Sequence, residues 1–101
     1  MQTFVSTLAE LEQRPTKVVE IDGESLLVVR TEQTIYAVSA FCPHRGAPLA
    51  DGYVVENMVI CPWHRSTFDL CSGSLMNGAS QQALKVYSVI IDNGAVYVEH
   101  E

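Results

Sequence analysis

Two cysteine–histidine pairs constrain this chain more than any other feature. Cys42-Pro43-His44 and Cys61-Pro62-Trp63-His64 lie mid-chain, with residues 45–60 between them. Thiolate and imidazole together suit a thiophilic metal centre. Each pair contains a proline, which fixes one backbone dihedral and stiffens the turn before any metal arrives. The bare residue types leave two centres open. Cys₂His₂ sets also build closed tetrahedral zinc sites, but those usually draw two cysteines from one turn and two histidines from the other. Here each turn supplies one of each, an arrangement better explained by two distinct metal ions than by one.

Gly46 and Leu49 extend the first pair to Cys-x-His-x-Gly-x-x-Leu. With a Cys-x-x-His at this distance, the pattern resembles the Rieske [2Fe–2S] ferredoxins, over nearly the whole chain. The resemblance implies one [2Fe–2S] cluster, with Cys42 and Cys61 on an inner iron and His44 and His64 on an outer, solvent-facing one. Neutral imidazoles in place of two thiolates leave less negative charge to oppose an added electron. Potentials of such centres lie at roughly −150 to +300 mV. High-potential members carry an extra cysteine in each loop, forming a disulfide; Ala47 and Trp63 occupy those positions here. Those members also donate hydroxyls from a serine and a tyrosine. Ser66 matches the serine, while Phe68 lacks the tyrosine hydroxyl, so the resemblance implies the lower half of the range.

Other residues near the pairs have two readings each. Arg45 and Arg65 follow the two histidines and are either a cationic rim for partner docking or solvated loop arginines. Ser66 is a donor to the cluster or an ordinary strand-initiating serine. Trp63 is expected to shield the cluster as core packing. Cys71 is expected to be a buried small hydrophobe or an idle thiol, and His100 a solvated histidine between acids. Met76-Asn77-Gly78-Ala79-Ser80 keeps a family glycine but lacks the proline common in that loop, which suggests a looser cover.

The rest of the chain reads as one all-β domain over 1–101. Asp22-Gly23 joins β-branched runs at 17–21 and 24–31, and Asp92-Asn93-Gly94 joins runs at 86–91 and 95–99; both are hairpin signals. A third strand at 34–40 shows no preferred face. Ser6 or Thr7 should cap a short helical turn that Pro15 ends. From about 41 to 71 the character changes to short pieces punctuated by Gly46, Pro48, Gly52 and Pro62, with strands only at 58–60 and 66–70. A polar stretch at 77–82 returns the chain to the scaffold. The resemblance makes this Rieske-type: stacked antiparallel sheets carrying a small cluster-binding subdomain.

Twelve acids against six bases give a formal net charge of −6. That charge argues against nucleic acid and anionic membrane surfaces, and it is compatible with a basic docking partner. No leader or bilayer-length apolar run is evident, so a cytoplasmic protein is expected. With three cysteines, a disulfide framework is not expected. No nucleotide fingerprint or catalytic constellation accompanies the cluster motif, so the expected role is electron transfer without catalysis. The family's small ferredoxins accept electrons from a flavin-dependent NAD(P)H reductase and pass them to a terminal aromatic ring-hydroxylating oxygenase. A small subunit of a multisubunit reductase such as nitrite reductase, and a zinc-stabilised interaction module, are the competing readings.

Overall fold

The structure is a computed structural model and describes residues 1–32, 34–43, 46–63, 65–78 and 82–100. In chain order it runs β1 (Gln2–Thr7), α1 (Leu8–Gln13), β2 (Thr16–Ile21), β3 (Glu24–Arg30), β4 (Ile35–Ser39) and a 3₁₀ turn (Leu49–Asp51). There follow β5 (Tyr53–Val55), β6 (Met58–Ile60), β7 (Thr67–Asp69), β8 (Leu75–Asn77), β9 (Val86–Asp92) and β10 (Ala95–Glu99).

Two dipeptides set the registers of the scaffold. Asp22 and Gly23 take φ of 51° and 81°, and Asn93 and Gly94 take 50° and 79°. Two successive left-handed residues make the hairpin turn whose twist matches that of its strands. Ile21 therefore faces Glu24 across the first hairpin, and Asp92 faces Ala95 across the second. At the start of the chain, Thr7 caps α1 by accepting from the Glu10 N–H at 3.1 Å. Leu11, on the inward face of that helix, is fully buried.

The strands form two antiparallel sheets, β1-β10-β9-β4-β3-β2 and β5-β6-β7-β8. The second sheet runs on to Asn77, beyond the strand candidates visible in the sequence. Its outer strands, β5 and β8, are three residues each and were not anticipated.

Two apolar cores follow from the period-2 alternation of β3 and β4. Leu26 and Val28 join Ile35, Ala37, Val5, Leu11, Val96 and Val98 in a core within the large sheet. Leu27 and Val29 face the other way and join Val38, Ala40, Leu49, Val59, Phe68 and Leu70. Both faces of β4 are covered, which is why its sequence shows no polar side. Burying each leucine or valine is worth about 1.5–3 kcal/mol before the entropy of ordering it.

His100 differs from expectation. Its side chain is only 8% exposed, with Nδ1 3.3 Å from an Asp22 carboxylate oxygen and Nε2 hydrogen-bonded to Thr3 Oγ1. The pairing of β1 with β10 continues past Glu99, because the His100 N–H donates to the Met1 carbonyl at 2.8 Å. That pairing carries the imidazole under the neighbouring elements. Among the described residues, no helix is long and apolar enough to cross a membrane.

Candidate metal centre

Both cysteine loops are closed by backbone hydrogen bonds within themselves. In the first, the Cys42 N–H donates to the Ala47 carbonyl at 2.8 Å and the Gly46 N–H to the Cys42 carbonyl at 2.7 Å. Gly46 makes that return with φ of 71°. In the second, the Cys61 N–H donates to the Ser66 carbonyl at 2.8 Å. The large sheet anchors the first loop, since the Leu49 N–H reaches the Ala40 carbonyl at 2.9 Å just beyond β4. The second loop is the connection between β6 and β7. Gly52 seats the 3₁₀ turn against it: a Cβ there would fall 2.0 Å from the Ile60 carbonyl oxygen.

These frames bring Cys42 and Cys61 together. They are 3% and 2% exposed, and they belong to the core that also holds Ala47, Leu49, Val59, Phe68 and Leu70. Burial pushes the Cys61 thiol above its ordinary range. A backbone hydrogen bond from Trp63 opposes that shift, and the neighbouring Cys42 adds to it. Cys61 is therefore a poor site for a free thiolate. A metal cation reverses the preference, because coordination deprotonates the thiol outright.

Ser66 supplies an independent test of fit. It is 1% exposed, and its Oγ has no hydrogen-bond partner among the described residues. Buried hydroxyls are normally satisfied, so an unpaired one in the loop that carries the buried Cys61 suits an acceptor such as a cluster sulfide. Gly78 packs onto the same serine: a Cβ at 78 would lie 2.5 Å from Oγ and 2.6 Å from Cα. Only a glycine allows this approach, and the family resemblance marks this glycine as part of the cover, though not its contact with Ser66.

The remaining anticipated residues divide as follows. His44, Arg45 and His64 lie outside the described residues, as do Ala79 and Ser80 of the cover segment. Trp63 is 54% exposed and is not core packing; Phe68, Leu70 and Val59 already fill the interior beneath the loop. Arg65 is exposed, with φ of 57°. Cys71 is exposed rather than buried and stands apart from the thiol pair, because it lies in the turn after β7.

Comparison with known proteins agrees with this chemistry. The Rieske [2Fe-2S] domain family matches residues 2–88. The chain belongs to that family and carries one [2Fe–2S] cluster, which sets the zinc alternative aside. Among curated proteins it is similar to the ferredoxin component of the naphthalene 1,2-dioxygenase system of Pseudomonas putida. The two are 33% identical over 81 residues, covering 80% of this chain and 78% of the relative. Among solved structures it is similar to the ferredoxin of carbazole 1,9a-dioxygenase from Nocardioides aromaticivorans IC177. That match has a TM-score of 0.92 at 26% identity and covers 100% of this chain and 99% of the other. The ferredoxin fold also recurs in a solved complex of reduced oxygenase and oxidized ferredoxin in carbazole 1,9a-dioxygenase. There the TM-score is 0.89 at 26% identity, with 96% of this chain and 91% of the matched chain covered.

Proposed function

We propose that this protein is a cytoplasmic one-electron carrier, taking electrons from a flavin-dependent NAD(P)H reductase and delivering them to a terminal aromatic ring-hydroxylating oxygenase. It does no substrate chemistry itself. The observation that carries the reading is the buried Cys42–Cys61 pair, held by two similarly closed loops with the unpaired Ser66 hydroxyl nearby. Similarity to ferredoxin components of dioxygenase systems supports the direction of transfer.

In this reading Cys42 and Cys61 hold one iron and His44 and His64 the other. When bound, the [2Fe–2S] cluster supplies one reversible electron at a potential raised by its imidazole ligands. The protein's own groups set the conditions. The apolar walls of Leu49, Val59, Phe68 and Leu70 exclude water from the thiolate side. Ser66 Oγ–H donates into the site and favours its more negative state. Phe68 brings no second hydroxyl, and Ala47 and Trp63 form no disulfide, which keeps the potential in the lower half of the family's range. The exposed indole of Trp63 offers an apolar contact beside a histidine ligand, where an arriving partner would bury it.

Visible absorption and EPR of anaerobically purified protein, before and after dithionite, test the assignment. Colour that bleaches on reduction, with a reduced signal of mixed sulfur and nitrogen ligation, is the expected result. A colourless sample holding stoichiometric zinc would overturn the carrier reading.

A further inference from the structure

The two cysteine loops share one backbone plan, and they meet its most demanding position with different residues. In each, the cysteine N–H donates to the carbonyl five residues on, Cys42 to Ala47 and Cys61 to Ser66, both at 2.8 Å. In each, the residue four after the cysteine has positive φ: Gly46 at 71° and Arg65 at 57°. Glycine enters this region freely, whereas the Cβ of any other L-residue crowds the next carbonyl. The first loop meets the requirement with the residue suited to it. The second holds an arginine under strain.

Arg65 is also unlike the other strained positions. Among the described residues, the remaining non-glycine positive-φ residues are Asp22, Glu56 and Asn93. All three lie in two-residue turns between strands, residues 22–23, 56–57 and 93–94. Arg65 lies one residue after an expected ligand. Its side chain is exposed, and no carboxylate among the described residues pairs with it. Lys17 and Lys85 are paired with Glu10 and Glu24; Arg14 and Arg30 also lack a carboxylate partner among the described residues, but they stand at the end of α1 and on β3, not in a cysteine loop. Backbone strain that persists beside a functional site points to a use for the side chain that imposes it.

We infer that Arg65 is a docking residue whose guanidinium engages a carboxylate on the electron-transfer partner, a reading that rests on the carrier role proposed above. The chain as a whole has a net charge of −6 and repels an acidic surface. A cation next to a histidine ligand in sequence therefore turns the approach, so that the cluster loops meet the partner first. The planar guanidinium also matches a carboxylate in a way that fixes orientation.

The test uses cluster-loaded wild type, Arg65→Gly and Arg65→Lys. Dithionite-reduced protein is oxidised in a stopped-flow instrument by ferricyanide, an anion standing in for the acidic partner, and separately by the cation tris(phenanthroline)cobalt(III). Arg65→Gly is expected to melt at a higher temperature, because glycine relieves the strain. It should nevertheless react roughly five-fold more slowly with ferricyanide at about 0.01 M ionic strength, and faster with the cobalt complex. Both differences should vanish near 1 M salt, where screening is nearly complete. Arg65→Lys should keep wild-type rates, and the midpoint potential should not move. A more stable Arg65→Gly protein with unchanged rates at low salt would overturn the inference, as would rate changes that track a shifted potential. Wild-type protein lacking cluster absorption would instead overturn the carrier reading, so the two failures are distinguishable.

Discussion

Replacing Ser66 by alanine removes a buried side-chain oxygen that has no partner among the described residues, and the outcome should differ between apo and cluster-loaded protein. In the apo protein an unpaired buried hydroxyl costs about 1–3 kcal/mol. Its removal should therefore leave the apo melting temperature unchanged or raised. In the loaded protein the hydroxyl can donate to an anionic acceptor, a bond worth about 1.5–3 kcal/mol. The reduced site holds one more negative charge, so the bond strengthens on reduction. If roughly 1 kcal/mol of it appears only then, its loss lowers the potential by about 40 mV, from 59 mV per tenfold change for one electron. The tight approach of Gly78, whose added Cβ would lie 2.5 Å from Oγ, leaves no space on that side for a replacement water. Protein-film voltammetry measures the potential, and circular dichroism melts of the apo forms measure stability. An unchanged potential in Ser66→Ala, or an apo variant destabilised as much as the loaded one, would refute the reasoning.

Two further outcomes follow from local geometry. Gly78→Ala should destabilise by about 2–4 kcal/mol and lower cluster occupancy, because its Cβ meets Ser66 at φ of 126°. Thermal melts and the ratio of visible to protein absorbance check this, with Gly94→Ala, which meets nothing within 4 Å, as the milder control. Tyr87→Phe should change how stability depends on pH. The Tyr87 hydroxyl, 2.6 Å from Glu24, and then the charge of Lys85 hold the Glu24 carboxyl below its ordinary range. A carboxyl lowered on folding stabilises the native state above its unfolded value, and that contribution disappears as pH falls through the folded value. The gap in melting temperature between wild type and Tyr87→Phe should therefore close on acidification; a gap independent of pH would contradict this account.

What could be read from the sequence was local chemistry. Asp22-Gly23 specifies its turn within two residues as expected, whereas the second hairpin turns on Asn93-Gly94 alone, with Asp92 paired to Ala95 rather than standing in the turn. Cys42 and Cys61 stood out because few other uses explain a cysteine and a histidine in each of two proline turns, and the structure buries both in one core. The misses depend on strand pairing that composition does not signal. Tyr53–Val55 and Leu75–Asn77 are short, largely exposed strands that exist because β6 and β7 offer them edges. His100 is buried by a β1–β10 pairing that joins opposite ends of the chain. Trp63 is exposed for another reason: Val59, Phe68 and Leu70, on or next to the strands on either side of its loop, fill the core beneath and leave the indole outside.

The division of β3 and β4 between two cores explains how so small a second sheet can hold its loops in place. Strands of three residues in β5 to β8 have little independent stability. Their inward residues Val59 and Phe68 instead pack with Leu27, Val29 and Val38 of the large sheet. The opposite face of those same strands is fixed by Leu26, Val28, Ile35 and Ala37. Cys42 and Cys61 are members of the shared core, so apolar packing sets the thiol positions from the scaffold side. A carrier gains from that arrangement, since a rigid site reorganises little when an electron enters or leaves.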